Sequence, residues 1–141
     1  MSLYSVVVPV YNSEHTLEDL YTRLKRVFEE TLHEDFELIL VDDSSRDSSF
    51  QIMQKLRSRD KRVRIIQMAR NFGQHPALLC GFTYVKGDFV ITMDDDLQHP
   101  PEELPKMIQV MNDRPDVDVI LARYEGRKHN FIRRAGTRLS V

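Results

Sequence analysis

The sequence predicts an α/β fold in which a mostly parallel sheet is flanked by helices. Short β-branched runs recur along the chain, and each is continuously apolar rather than alternating, which is typical of strands buried on both faces. Amphipathic stretches with the helical period separate these runs. Because strand and helix alternate, the strands are expected to be parallel and joined by right-handed crossovers around one core.

The predicted strands are the continuously apolar runs of the chain. They are, in order, Val6–Val10, Leu38–Val41, Val63–Ile66, Phe89–Met93 and Val117–Leu121. The predicted helices are defined by apolar residues that recur with the helical period. These residues are Leu17, Leu20, Tyr21, Leu24, Val27 and Phe28 in the first helix, Phe50, Met53 and Leu56 in the second, and Leu104, Met107, Ile108 and Met111 in a later one.

Two patterns indicate where helices begin. Ser44 and Asp47 have the spacing of a capping box, in which side chains satisfy the free backbone amides of the first turn. Pro100 and Pro101 are followed by two glutamates, and prolines with acidic residues in the first turn favour a helix start. We therefore expect helices to begin after Ser44 and after Pro100.

The composition excludes several classes of protein. A net charge of -2 and a pI near 6.2 argue against a surface built for nucleic acid, which is excluded as a partner. No apolar window reaches the roughly 18 to 20 residues of a membrane span. The single cysteine, Cys80, lies in an apolar run and is expected to be a small buried hydrophobe in a reducing compartment. We expect a soluble chain that is not exported.

Basic residues are concentrated near the carboxyl end. Between Arg123 and Arg138 the only acidic residue is Glu125, so this stretch carries +5 and the rest of the chain about -7. The stretch loses the earlier periodicity and ends in a basic, helix-like start without a cap. We expect an anion-seeking segment here, in a chain interrupted within an element.

Polar residues follow three of the predicted strands. They occupy Pro9–Glu14 after the first strand, Asp42–Ser45 after the second and Asp94–His99 after the fourth. In an open parallel sheet, ligands bind at the carboxyl ends of the strands. The three segments together therefore predict a binding site, although helix capping would explain Asp42–Ser45 equally well if it stood alone.

The triplet Asp94–Asp96 is the strongest indication of chemistry. Adjacent carboxylates repel one another unless a cation or water screens them. Mg²⁺ or Mn²⁺ suits the triplet, because these ions prefer oxygen ligands and complete their shell with waters and substrate phosphates. The alternative is a solvated turn. His99 is interpreted as an exposed loop histidine, since an ion that prefers oxygen has little use for imidazole.

Other nucleotide-binding and hydrolytic patterns are absent. The sequence has no G-x-G-x-x-G after the first strand, no P-loop and no G-x-S-x-G elbow. Arg70–His75 follows the third strand and contains Gly73, which permits either a close approach to a ligand or a simple turn. Nucleotide phosphates would then have to be held by a metal instead of a glycine cradle.

Four strand-end motifs together resemble glycosyltransferase family 2. They are Pro9–Asn12, Val41–Ser45, Arg70–Gly73 and Met93–Glu102, which reads MDDDLQHPPE. Within that family they are most similar to bacterial enzymes related to dolichol-phosphate mannose synthase, which load a sugar onto a polyprenyl phosphate. The resemblance covers nearly the whole chain. It implies a GT-A-type fold with a mostly parallel, Rossmann-like sheet, truncated at the carboxyl end.

The resemblance also implies roles for individual residues. The nucleotide would be bound by Pro9, Tyr11, Glu14, Val41, Asp42, Asp43, Asp94 and Asp95, with Glu14 replacing a glutamate that relatives often carry at the position of Ser13. The metal on the diphosphate would be held by Asp94, Asp96 and Gln98. Asp96 and Arg123 would act on the reacting diphosphate, and Arg134 or Arg138 would meet the acceptor phosphate.

The function that the resemblance implies is inverting, metal-dependent transfer of a sugar from a nucleotide-diphosphate sugar to a polyprenyl phosphate. Residues 1–122 would form the nucleotide-sugar-binding core, and residues 123–141 the basic start of an acceptor-side segment. The longer protein would work in the cytoplasm, at the cytoplasmic face of the membrane. Two alternatives stay open: a sugar-phosphate nucleotidyltransferase, which normally has a glycine-rich loop after its first strand, and a non-catalytic nucleotide-binding module.

Overall fold

The structure, a computed structural model, describes residues 1–123 and 129–134. Its strands are β1 (Leu3–Val10), β2 (Asp35–Asp42), β3 (Val63–Gln67), β4 (Phe89–Thr92), β5 (Val119–Arg123) and β6 (His129–Arg134). Its helices are α1 (Leu17–Arg26), α2 (Ser49–Arg59), α3 (Gln74–Phe82) and α4 (Leu104–Asp113), with a π-helical turn at Val27–Leu32 and a 3-10 turn at Pro101–Glu103. No helix in the described part of the chain is long and apolar enough to cross a membrane.

The strands form one sheet in the order β3-β2-β1-β4-β6-β5. The first four are parallel, whereas β6 is antiparallel to both of its neighbours, so β5 runs in the same direction as β1 to β4. All five predicted strands are confirmed, and β6 is an addition. Residues 129–134 of the basic segment form this strand, whereas the helix-like start expected at the end of the segment lies outside the described residues.

The sheet is covered on both faces, which explains why its central strands are continuously apolar. On one face Val6, Val8 and Leu38 belong to the larger core, which also contains the apolar sides of α1, α2 and α4. On the other face Val7, Ile39 and Val41 form a smaller core with Ala77 of α3. Alternate residues of one strand thus enter opposite cores, as the period of a strand requires.

Helix α3 was not predicted, because its residues show little amphipathic periodicity. It contains Pro76 and Gly81 and exposes Leu79, while only Ala77 and Gly81 are fully buried. A Cβ added to Gly81 would lie 2.5 Å from Cγ1 of Val7, so glycine is what allows the helix to pack this close to the sheet. Cys80 was expected to be buried but is only half-buried, because it lies beside the contact between Gly81 and Val7 and not in it.

The two predicted helix starts have different outcomes. The capping box at Ser44 and Asp47 is wrong: α2 begins at Ser49, and Ser44 has a left-handed backbone with φ 60°. Asp47 instead accepts a hydrogen bond from the amide of Ser49 at 2.9 Å. The start at Pro100–Pro101 is confirmed, since the 3-10 turn there leads directly into α4.

Asp60, which follows α2, lies at the centre of a charged hydrogen-bond cluster. Its carboxylate accepts bonds from Nη2 of Arg62 at 2.8 Å, from the Arg62 amide at 2.9 Å and from the hydroxyl of Tyr21 at 2.7 Å. The bonds from the Arg62 side chain, above all, hold the pKa of Asp60 well below its usual range. Burial, together with the bond to Asp60, raises the pKa of Tyr21 to about 12.

This cluster predicts a loss of stability at both ends of the pH range. The folded pKa of Asp60 is below its unfolded value of about 3.9, so its contribution is complete above about pH 4 and is lost as the pH falls further. The folded pKa of Tyr21 is above its unfolded value, so its contribution is complete below about pH 10 and is lost as the pH rises towards 12.

Urea unfolding at a series of pH values measures both effects. We expect Asp60→Asn to reduce the slope of stability against pH on the acid side and Tyr21→Phe to reduce it on the alkaline side. An acid slope that is the same in the native chain and in Asp60→Asn would contradict the prediction.

Candidate functional site

A cavity of about 300 Å³ opens at the carboxyl edge of the parallel strands. The loops after β1, β2, β3 and β4 all contribute to its wall. The lining residues are Pro9, Val10, Tyr11, Asp43, Asn71, Gly73, Gln74, Asp94 and Asp95. The expectation that polar strand ends converge is therefore met, as it should be in a sheet whose neighbouring strands point the same way.

Asp95, in the middle of the acidic triplet, fastens the loop after β1 to the loop after β4. Its Oδ2 accepts hydrogen bonds from the amide of Tyr11 at 3.0 Å and from the hydroxyl of Ser13. Its backbone carbonyl accepts a bond from the hydroxyl of Thr16 at 2.5 Å. The carboxylate of Asp95 therefore holds Tyr11 in the cavity wall.

Asp43 has a comparable role between the loops after β2 and β3. Its side chain is buried, and its two carboxylate oxygens accept bonds from the amides of Phe72 at 2.8 Å and of Gly73 at 2.9 Å. Its own amide donates to the carbonyl of Val10 at 2.8 Å. Asp43 thus positions the backbone that begins α3, where Gly73 has φ 101°.

Asp94 lies between Gln74 and His99. Nε2 of Gln74 donates to Oδ1 of Asp94 at 3.0 Å, and Nε2 of His99 lies 3.8 Å from Oδ2. The interpretation of His99 as an exposed loop residue is wrong, because its side chain is only 2% exposed. The imidazole lies beneath the acidic turn because Pro101, Leu104 and the rest of the following helix carry the chain back over the core.

Asp96 begins a tight turn in which its Oδ1 accepts the amide of Gln98 at 3.1 Å. Leu97, the middle residue, has a left-handed backbone with φ 62° and packs against the larger core. Asn12 and Ser44, after β1 and β2, are left-handed too. Such conformations are uncommon outside glycine and cluster where function needs a defined backbone. The strand ends at this site are therefore unusual in their backbone geometry as well as in their side chains.

The structure brings together only part of the predicted nucleotide set. Five predicted residues line the cavity: Pro9, Tyr11, Asp43, Asp94 and Asp95. Val41 and Asp42 are fully buried behind the lining, and Oδ2 of Asp42 has no hydrogen-bond partner among the described residues. Glu14 points elsewhere, since its Oε2 accepts the amide of Ser48 at 2.9 Å in the loop before α2. Contact of Glu14 with a ribose stays a prediction that this placement does not favour.

The three predicted arginines fall at different places in the sheet. Arg123 ends β5, which runs parallel to β4, so its backbone lies at the same edge as Asp94. Arg134 pairs with Phe89 at the amino end of β4, and the five residues from there to Asp94 span about 17 Å of strand. A role for Arg134 at this cavity is therefore not favoured by its backbone position. Arg138 lies outside the described residues.

Asn71 and Gln74 line the cavity but were absent from the predicted site. Both belong to the motif Arg70–His75, which follows β3, so their position after a strand was the available indication. It was ambiguous because this motif could equally have been a simple turn. Val10 was missed for another reason. It is an apolar residue within a strand, and nothing in the sequence distinguishes such a residue in a cavity wall from one in the core.

The donor set at Asp94, Asp96 and Gln98 consists of carboxylate and amide oxygens, which suits Mg²⁺ or Mn²⁺. No group of three or more His, Cys, Asp or Glu side chains within residues 1–123 and 129–134 is arranged to hold a metal. The triplet does not converge because Asp95 is turned towards Tyr11 and Ser13. Ions of this kind are commonly held by one or two carboxylates plus waters and substrate phosphates, so Asp94 and Asp96 fit that arrangement.

Two solved structures have the same architecture. S. aureus TarS, determined in complex with UDP-GlcNAc, is 28% identical, with a TM-score of 0.66, over 89% of this chain and 36% of that one. A mannosyltransferase from Pyrobaculum calidifontis, in complex with GDP-Man and Mn²⁺, is 18% identical, with a TM-score of 0.73, over 88% of this chain and 36% of that one. The second likeness shows the fold alone. The fold is that of a GT-A-type domain.

The sequence identifies the family within this class. The profile of Glycosyl transferase family 2 matches residues 5–139, and the chain belongs to that family. It is also 39% identical over 138 residues to an undecaprenyl-phosphate 4-deoxy-4-formamido-L-arabinose transferase from Edwardsiella ictaluri. That match covers 96% of this chain and 41% of the relative. The chain thus spans about two fifths of the relative's length.

Proposed function

We propose that this chain supplies the nucleotide-sugar site of an inverting, metal-dependent glycosyltransferase that transfers a sugar to a polyprenyl phosphate. The observation that carries the proposal is the cavity itself, whose wall combines Pro9 and Tyr11 after β1 with Asp94 and Asp95 after β4. The name of the relative from Edwardsiella ictaluri supports the acceptor, and the two solved structures support a nucleotide-sugar donor.

Different residues of the site would contact different parts of the nucleotide-sugar donor. Tyr11, held by Asp95 and 44% exposed, offers an aromatic surface to the base. Asp94, which lines the cavity, and Asp96, two residues further along the same turn and outside the lining, would take the diphosphate through Mg²⁺ or Mn²⁺, because carboxylates and phosphates otherwise repel each other. When bound, the ion would supply Lewis-acid stabilisation of the negative charge that grows on the leaving phosphate.

The acceptor side needs positive charge more than it needs a base. A phosphate monoester is already anionic near neutral pH, so its attack on the sugar does not depend on a strong general base. Attack from the face opposite the diphosphate inverts the anomeric centre. Arg123, whose backbone lies at the cavity edge of the sheet, would contact the phosphates, and the basic stretch up to Arg138 would suit an anionic acceptor at the cytoplasmic face of a membrane.

The proposed division of the chain follows from these roles. Residues 1–122 would bind the donor, because the cavity is built from the loops after β1 to β4. Residues 123–141 would begin the acceptor side, since this stretch carries a net charge of +5 whereas the rest of the chain carries about -7.

The experiment that tests the donor site is a calorimetric titration with UDP, GDP, UDP-GlcNAc and GDP-Man, each with and without Mn²⁺. We expect one of the two bases to bind more tightly than the other, and much more tightly with Mn²⁺ than without it. Replacing Tyr11 by alanine should weaken that binding about 5- to 150-fold, because base–aromatic stacking contributes about 1–3 kcal/mol. Equal binding with and without metal, or no binding of any of the four, would contradict the proposed function.

A further inference from the structure

Gln74 contacts Asp94, the first residue of the acidic turn, through its side-chain amide. It is the first residue of α3, it is exposed in the cavity wall, and its Nε2 donates to Oδ1 of Asp94 at 3.0 Å. This is a contact between a neutral donor and one oxygen of a predicted metal-binding carboxylate. Nothing in the sequence pattern singled Gln74 out for such a role.

The backbone that carries Gln74 is fixed on both sides. Ahead of it, the amides of Phe72 and Gly73 donate to the buried carboxylate of Asp43. Behind it, the amide of Ala77 donates to the carbonyl of Gly73 at 3.2 Å, and Gly81 packs directly against Val7. Because the start of α3 cannot shift without breaking these contacts, the amide of Gln74 is presented to Asp94 from a rigid support.

The contact with Gln74 would orient the carboxylate of Asp94 without neutralising its negative charge. A lysine or arginine at this place would compete with a cation for the carboxylate, whereas a neutral amide donor leaves the charge of Asp94 in place. A hydrogen bond to Oδ1 limits rotation of the carboxylate and so fixes the direction in which Oδ2 lies. Groups that hold a ligating side chain in one orientation commonly change metal affinity about 10- to 100-fold when they are removed.

We propose that Gln74 is a positioning residue that orients the carboxylate of Asp94 for a divalent cation and the diphosphate it carries. The inference rests on the proposed function, because it assumes that Asp94 binds the metal. The inference also connects two parts of the site. Asp43 fixes the backbone at the start of α3, and Gln74, at that start, would fix the orientation of the Asp94 carboxylate.

The test compares Gln74→Met, which keeps the side-chain length and loses the donor, with the matched control Gln54→Met on the exposed side of α2. Binding of UDP and GDP is measured by calorimetry with and without Mn²⁺, and bound Mn²⁺ is counted separately from the EPR signal of the free ion. For Gln74→Met we expect Mn²⁺-dependent affinity to fall roughly threefold to tenfold, as the loss of one hydrogen bond predicts. We expect the metal-free affinity and the melting temperature to stay unchanged, as they should for Gln54→Met throughout.

The outcomes separate this inference from the proposed function. If the native chain shows no metal-dependent nucleotide binding, the proposed function fails and the inference fails with it. If the native chain does bind in that way, two results overturn the inference alone: an unchanged Mn²⁺-dependent affinity in Gln74→Met, or an equal loss with and without Mn²⁺, which would indicate direct contact with the nucleotide.

Discussion

Replacing Asp96 by alanine is expected to abolish metal-dependent binding of a nucleoside diphosphate while leaving the fold intact. Asp96 is, with Asp94, one of the two carboxylates of the triplet that we propose as cation ligands, whereas Asp95 is bonded to Tyr11 and Ser13. Loss of one of two ligands should lower the affinity for Mn²⁺ and diphosphate roughly hundredfold or more, beyond the effect of a supporting residue. Calorimetric titration with and without Mn²⁺ measures the difference.

Asp118→Ala is the matched control for this experiment. Asp118 is exposed just before β5, at the amino edge of the sheet and far from the cavity. It makes the same change in net charge, so any general electrostatic effect on an anionic ligand appears in both variants. The prediction is contradicted if Asp96→Ala and Asp118→Ala bind alike, or if the affinity of the native chain is the same when Mn²⁺ is removed by chelation.

Replacing Asp43 by alanine is expected to weaken both stability and nucleotide binding. The substitution leaves the amides of Phe72 and Gly73 without their acceptor, at a cost of about 1–3 kcal/mol for each donor that stays dry. The loop that begins α3 should then loosen, and with it the cavity wall at Asn71 and Gln74. We expect the urea midpoint to fall clearly in the absence of any ligand and nucleotide affinity to fall at least about tenfold.

Asp43→Asn separates this structural role from direct contact with the nucleotide. Asparagine keeps one oxygen acceptor and loses the other, so its loss of stability should be intermediate between that of the native chain and that of Asp43→Ala. A ligand-free stability equal to the native value in Asp43→Ala, together with weakened nucleotide binding, would show that Asp43 acts on the ligand alone and would refute the structural role.

The parallel core and the position of the site could be predicted from the sequence because each rests on local pattern. Runs such as Val6–Val10 have no polar residue on either face, and only a strand covered on both sides accommodates that. Once the strands are parallel, Tyr11, Asp43 and Asp94 must meet at one edge, whatever the details of the loops. The fold class and most of the cavity wall follow from these two steps.

The features that were missed depend on contacts between distant residues. Strand β6 is rich in arginine and has no apolar run, and its pairing with β4 decides its conformation. His99 is polar and is followed by two prolines, yet the return of the chain into α4 buries it. The three aspartates of Asp94–Asp96 differ in their hydrogen-bond partners, and these partners include Ser13 and Gln74, which lie far away in sequence. Adjacent identical residues cannot be distinguished without such partners.

The insertion of β6 between β4 and β5 bears on the order in which the protein folds. Strand β5 precedes β6 along the chain, and among the described strands it pairs with β6 alone. During synthesis the outer edge of β4 therefore stays unpaired until residues 129–134 emerge, and β5 waits with it. The acidic turn directly follows β4, so during synthesis the turn emerges before the strand that supports it has gained its second neighbour.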